Sequence, residues 1–113
     1  MLELPKTIKL GQHTILIDYP HEFQDGQYVG KCMFGLDLIQ IAAKEDIGGV
    51  AMDMADTAIR QIFLHELIHA CLHFIGREDI NQDENLINGL SETFCLLFHD
   101  NPTLLEVFKS NSD

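Results

Sequence analysis

An α+β fold is predicted for this chain: a small antiparallel sheet, then two long helices, then a short C-terminal helix. Three observations predict it. The first half carries short β-branched and apolar runs. Gly and Pro punctuate those runs at close intervals. From Met54 onward long apolar stretches take over, the first free of internal Gly and Pro. At 113 residues the chain is expected to form one domain spanning 1–113.

Thr7–Leu10 and Thr14–Tyr19 read as two strands flanking Gly11-Gln12-His13, where Gly supplies the positive φ of a tight hairpin. Pro20 closes the second strand, and His21–Gly26 is polar and reads as a loop. Tyr28–Phe34 and Leu36–Ala42 read as further strands broken by Gly35. Gly48-Gly49 marks a turn ahead of a helical segment. That segment, Met54–Ile75, has Asp53 placed as an N-cap and Gly76 as its stop. Arg77–Gln82 is a polar connector, and Glu84–His99 is a second helix ended by Asn101-Pro102. A short helix is expected over Pro102–Lys109, with Pro in its first turn. The tail Asn111-Ser112-Asp113 is expected to fray.

The apolar share is 46%, ordinary for a globular protein, but the charge is lopsided: 18 Asp and Glu against 7 Lys and Arg, a formal net charge of −11. Such a surface repels nucleic acid and anionic lipid, whose binding rests on neutralising phosphate. Neither is expected as a partner. Apolar runs are too short to span a bilayer. The opening MLELPKTIKL has none of the parts of a secretion signal, so a cytoplasmic location is expected. Cys32, Cys71 and Cys95 are odd in number and widely spaced, which fits three unpaired, mostly buried thiols.

His65-Glu66-Leu67-Ile68-His69 is an HExxH motif inside the predicted helix. Residues four apart lie one turn above each other, so both imidazoles reach one ion. Glu66, one step round, reaches a water on that ion without ligating it. Zinc lowers the pKa of its bound water towards ~7, and a neighbouring carboxylate then serves as general base. The bland alternative is a pair of ordinary helix histidines. Against it, the flanks Ile62, Phe63, Leu64, Leu67, Ile68, Ala70, Cys71 and Leu72 are apolar nearly all round, so the helix must be largely buried. Two imidazoles and a carboxylate buried there need partners, and a metal satisfies all three.

A zinc site of the catalytic type takes three protein ligands. Glu84, fifteen residues after His69 at the start of the next helix, is the candidate third. A short connector makes the two helices antiparallel neighbours. Asn88, at i+4 from Glu84, would share its face and accept the outer N–H of a ligating His. Gly89 would let the two backbones approach closely. Asn81 and Glu84 also fit a capping-box spacing, so Glu84 as a cap remains open; Glu78, Asp79, Asp83 and Glu92 are competing acids. His73 lies about 12 Å along the axis from His65, too far to share the ion comfortably, and reads as a supporting or partly exposed residue. Cys71 reads as packing rather than a nucleophile. His13, His21 and His99 read as solvated, and Phe63, Phe74, Phe94 and Phe98 as core.

The run LHELIHACLH, then a polar connector, then DENLINGLSETF resembles small phage- and prophage-encoded proteins of the HExxH metallopeptidase type, which are similar to minimal gluzincins. The resemblance covers about Phe63–Leu90. It implies a zincin-like fold and zinc-dependent peptide-bond hydrolysis. By motif position it implies His65, His69 and Glu84 as zinc ligands and Glu66 as general base, with a peptide or protein as substrate. The metzincin extension HExxHxxGxxH is absent. The oxyanion-stabilising Tyr, His or Arg of full-length gluzincins cannot be placed: Tyr19 and Tyr28 are the only tyrosines, and neither is identifiably near the metal. A peptide would lie along an exposed strand edge, for which Leu36–Ala42 is the candidate. Two rivals stand beside the enzyme. One is a non-catalytic, zinc-stapled binding or regulatory module, which a fourth protein ligand such as Asp83 or His73 would favour. The other is a metal-free acidic decoy.

Overall fold

The computed structural model describes residues 1–24 and 28–109. The end of the expected His21–Gly26 loop and the expected frayed tail Asn111–Asp113 lie outside the described residues. The fold is α+β, with two small sheets and three helices.

Four strands make the main sheet: β1 (Thr7–Leu10), β2 (His13–Asp18), β3 (Gly30–Met33) and β4 (Leu38–Ile41). Leu10 pairs with His13, so β1 and β2 are joined by the two-residue turn Gly11-Gln12, with Gly11 at φ 61°. The spatial order is β1-β2-β4-β3. This corrects the antiparallel expectation, because β2 and β4 run parallel, Leu16 against Leu38 and Asp18 against Gln40. The chain leaves β2, forms the far strand β3, and returns to place β4 between them. Leu36–Ala42 therefore contributes the central strand, not the free edge. The edges are β1 and β3, and among the described residues β3 pairs only with β4.

Alternation sets the core. Ile15 and Ile17 on β2, with Ile39 and Ile41 on β4, point to one face and are buried, while Leu16 between the first two is 53% exposed. That face is covered by α1 (Asp56–Phe74), which contributes Ile59 and Ala70 to the same cluster. On its other side α1 meets α3 (Glu84–Asp100) through the buried Ile87 and Ser91.

Gly48-Gly49 does not precede a helix directly. It is the turn of a hairpin, β5 (Lys44–Ile47) with β6 (Val50–Asp53), and both glycines sit at positive φ, as a two-residue hairpin turn requires. Asp53 ends β6, so it does not cap α1; the cap position is Ala55. Gly76 does stop α1. At φ 74° it lets its own N–H reach the His73 carbonyl and lets Arg77 N–H reach that of Leu72, satisfying two terminal carbonyls. The connector contains a four-residue helix, α2 (Glu78–Asn81). The expected C-terminal helix is a 3₁₀ turn over Leu104–Phe108. Among the described residues no helix is long and apolar enough to cross a membrane.

Gly89 faces open space rather than α1, because the buried face of α3 runs through Ile87 and Ser91 and Gly89 falls on the opposite side. Phe63 packs on the core, but Phe74 and Phe94 are exposed, since one face of each helix has no neighbour. The three cysteines are free; Cys71 is exposed rather than buried, and the other two are half-buried.

Candidate metal centre

The α1–α3 contact brings the three expected ligands together. His65 and His69 project from consecutive turns of α1, and Glu84 opens α3 opposite them. Asp83, not Asn81, caps α3: its carboxylate accepts the Leu86 N–H at 3.1 Å. That leaves the Glu84 carboxylate free. Its two oxygens lie 3.1 Å from His65 Nε2 and 3.1 Å from His69 Nε2, and the two Nε2 atoms are 3.2 Å apart. Ligand atoms about 2.0–2.1 Å from a tetrahedral ion sit roughly 3.3 Å from one another, so the spacing fits one zinc-sized cation. The imidazoles are nearly buried while Glu84 is 59% exposed. The site is thus closed by α1 beneath and open at the Glu84 rim.

A neighbour sets the tautomer. Asn81, on α2 and 5% exposed, accepts a hydrogen bond from His69 Nδ1–H at 2.6 Å. Its amide nitrogen donates to the His69 carbonyl at 3.2 Å and to Glu78 at 3.4 Å, which fixes which way the amide faces. His69 therefore carries a proton on Nδ1, and Nε2 is the ring nitrogen that faces Glu84 and His65. Asn88, one turn past Glu84, lines a cleft with His65 and favours its protonated form. Burial, then the proximity of His69, lowers the His65 pKa, against the opposing pull of Glu84 and Asn88. Burial thus favours the neutral imidazole. Lone pairs from two rings and a carboxylate thus converge on one point.

Glu66 is 7% exposed. Burial raises its pKa to about 7, opposed by His69 and reinforced by Glu84. It lies directly under the edge strand. A Cβ at Gly30 would sit 2.6 Å from Ile62 Cγ2 and 2.9 Å from Glu66 Oε2, so only glycine lets β3 pass this close to α1. Two clefts meet at Glu66 and His65. One holds His69, Glu84, Lys31, Cys32 and Glu78; the other holds Met54, Ala58, Gln61, Glu45 and Ser91. Tyr28 and Gly30 border both, so Tyr28 stands at the site, which its place in the sequence did not reveal.

The other candidates are accounted for elsewhere. His73 Nδ1 bonds Glu78 at 2.5 Å and its ring stacks on Phe34. His21 is half-buried rather than solvated, bonded to Asp18 at 2.8 Å. His13 and His99 are exposed. Burial, then Glu66 and Asp37, pushes the Cys32 thiol up to about 12, and burial raises that of Cys71, so neither is an activated nucleophile. Asn81 is the residue the sequence reading missed. Its N-x-x-E relation to Glu84 was visible but pointed to capping. Comparison with known protein families, with curated proteins and with solved structures finds no match for this chain.

Proposed function

We propose that this chain is a small zinc-dependent peptidase of zincin-like, minimal-gluzincin design, with His65, His69 and Glu84 as ligands and Glu66 as general base. The observation that carries the reading is the convergence of the donors: the two Nε2 atoms lie 3.2 Å apart, and each is 3.1 Å from one oxygen of the Glu84 carboxylate, with the His69 ring oriented by Asn81. When bound, zinc supplies a water of lowered pKa and polarises a carbonyl. The chain's own residues do the rest. Asn81 holds the His69 ring in its ligating orientation. Glu66, buried against the site and near neutrality in its pKa, takes the proton from the attacking water and passes it to the leaving amine. The open edge of β3 passes over Glu66, where an extended peptide can add as a further strand.

A closed structural zinc site would need a fourth protein ligand. The two candidates that the sequence offered are engaged elsewhere, Asp83 in capping α3 and His73 with Glu78. That supports an open fourth position over the binding-module alternative. The test is Glu66→Gln: the variant keeps one equivalent of zinc by elemental analysis and loses peptide hydrolysis. Loss of the metal on this change, or undiminished turnover, would falsify the assignment of Glu66.

A further inference from the structure

Of the two clefts that meet at Glu66, the one on the N-terminal side of α1 has a volume of about 440 Å³. Its walls are apolar at Val29, Met54, Ala58 and Ile62. Its charged lining residues among those described are Glu66, which the hydrolytic reading assigns as base, and Glu45; no Lys or Arg is among them. Glu45 comes from the β5–β6 hairpin. Among the described residues the hairpin's strands pair only with each other, and every residue in them is exposed. A lone two-stranded hairpin is marginal in water unless something covers it.

The register says which face needs covering. Glu45 pairs with Met52 and Ile47 with Val50, so these four share one face, while Lys44, Asp46, Ala51 and Asp53 share the other. Ile47, Val50 and Met52 are each about half exposed. Glu45, which lines the cleft, thus shares its face of the hairpin with three apolar side chains. The cleft floor also holds Glu66, more than nine-tenths buried and lining the same space.

We propose that this cleft and hairpin face select the substrate: an extended peptide segment with a Lys or Arg side chain next to the scissile bond, followed by apolar residues. The cationic side chain enters between Ile62 and Met54 to pair with Glu45, and the apolar residues lie on Ile47, Val50 and Met52. The inference rests on the peptidase reading for what the site does, but not for what the cleft binds. The chain's acidity, net −11, adds a general attraction for such a segment without choosing a position within it.

The experiment uses full-length, zinc-loaded Glu66→Gln chain and a set of eight-residue acetylated peptides carrying Lys, Ala or Glu at each position in turn. Binding is read by fluorescence anisotropy at fixed ionic strength, with zinc content measured for each variant. At one position, Lys binds about tenfold more tightly than Glu, as expected when attraction replaces repulsion. Adding Glu45→Lys inverts that preference. Adding Asp46→Lys, the same charge change on the hairpin's other face, does not. No positional preference, no binding, or equal effects of the two hairpin variants overturns the proposal. Cleavage by the unmodified chain is followed separately. Peptides cut without any charge preference sink the pocket and leave hydrolysis standing. A preference that inverts with Glu45→Lys while nothing is cut upholds the pocket and removes the peptidase.

Discussion

Replacing Asn81 with Ala tests whether the tautomer of His69 is what makes the site a metal site. Asn81 is 5% exposed and joins α2 to α1 by accepting from His69 Nδ1–H and donating to the His69 carbonyl. Truncation leaves the Nδ1–H of a nearly buried ring without its acceptor, which costs about 1–3 kcal/mol of stability. It also frees the ring to place its proton on Nε2, where it cannot ligate. Removing such an orienting partner lowers metal affinity roughly 10- to 100-fold. Asn81→Asp separates the two effects. A carboxylate accepts the same N–H but cannot donate to the carbonyl, and it sits beside Glu78, 3.4 Å from the amide nitrogen it replaces. Asp therefore retains zinc affinity within about threefold while still losing stability, by the same hydrogen-bond reckoning. Competition with a chromophoric chelator gives the zinc affinity, and urea denaturation of the metal-free chain gives the stability. Equal zinc affinity in the wild-type and Ala chains would show that Asn81 only packs, and the tautomer reasoning would fall.

Two further outcomes follow from the same geometry. Gly30→Ala forces a methyl to within 2.6 Å of Ile62 and 2.9 Å of Glu66, so we expect a loss of about 1–3 kcal/mol and a displaced Glu66; a crystal structure of the variant with β3 and Glu66 unmoved contradicts this. The metal-free chain should lose stability as pH rises from about 4.5 to about 7. The folded-state pKa of Glu66 is raised above its unfolded value, so its contribution is whole below 4.5 and gone above 7. Urea midpoints at pH 5 and pH 8 measure this, with Glu66→Gln removing on the order of 2–3 kcal/mol of the dependence; parallel curves for the two chains refute it.

Much of the site was readable in one dimension. His65 and His69 share a face because the helical repeat is local, and Glu84 follows after a connector too short to allow anything but antiparallel helices. The stop of α1 was legible for the same reason, since a glycine after a long apolar run is a local signal, whereas its start was not: Asp53 belongs to β6 and the helix begins at Asp56. The turn at Gly48-Gly49 was legible, but the hairpin that it closes was not. Its two glycines are a strong two-residue turn signal, but the charged run Lys44–Asp46 hid the strand before it. The place of β4 was not, because periodicity says which residues form a strand and nothing about its neighbours. Leu36–Ala42 looked like an edge, and the return of the chain between β2 and β3 made it the centre.

The sequence by itself determined the candidate pair His65 and His69 with Glu66 between them, since helix geometry converts their spacing into direction without help from the rest of the chain. Only the tertiary structure decided which atoms those donors present and to what. Asn81 gained its hold on His69 by packing α2 against α1, Glu84 was released from capping because Asp83 took that work, and β3 became the open edge over Glu66 by the order of strands. Each of these is a contact between segments distant in sequence, and it exists only once the sheet, α1 and α3 have packed.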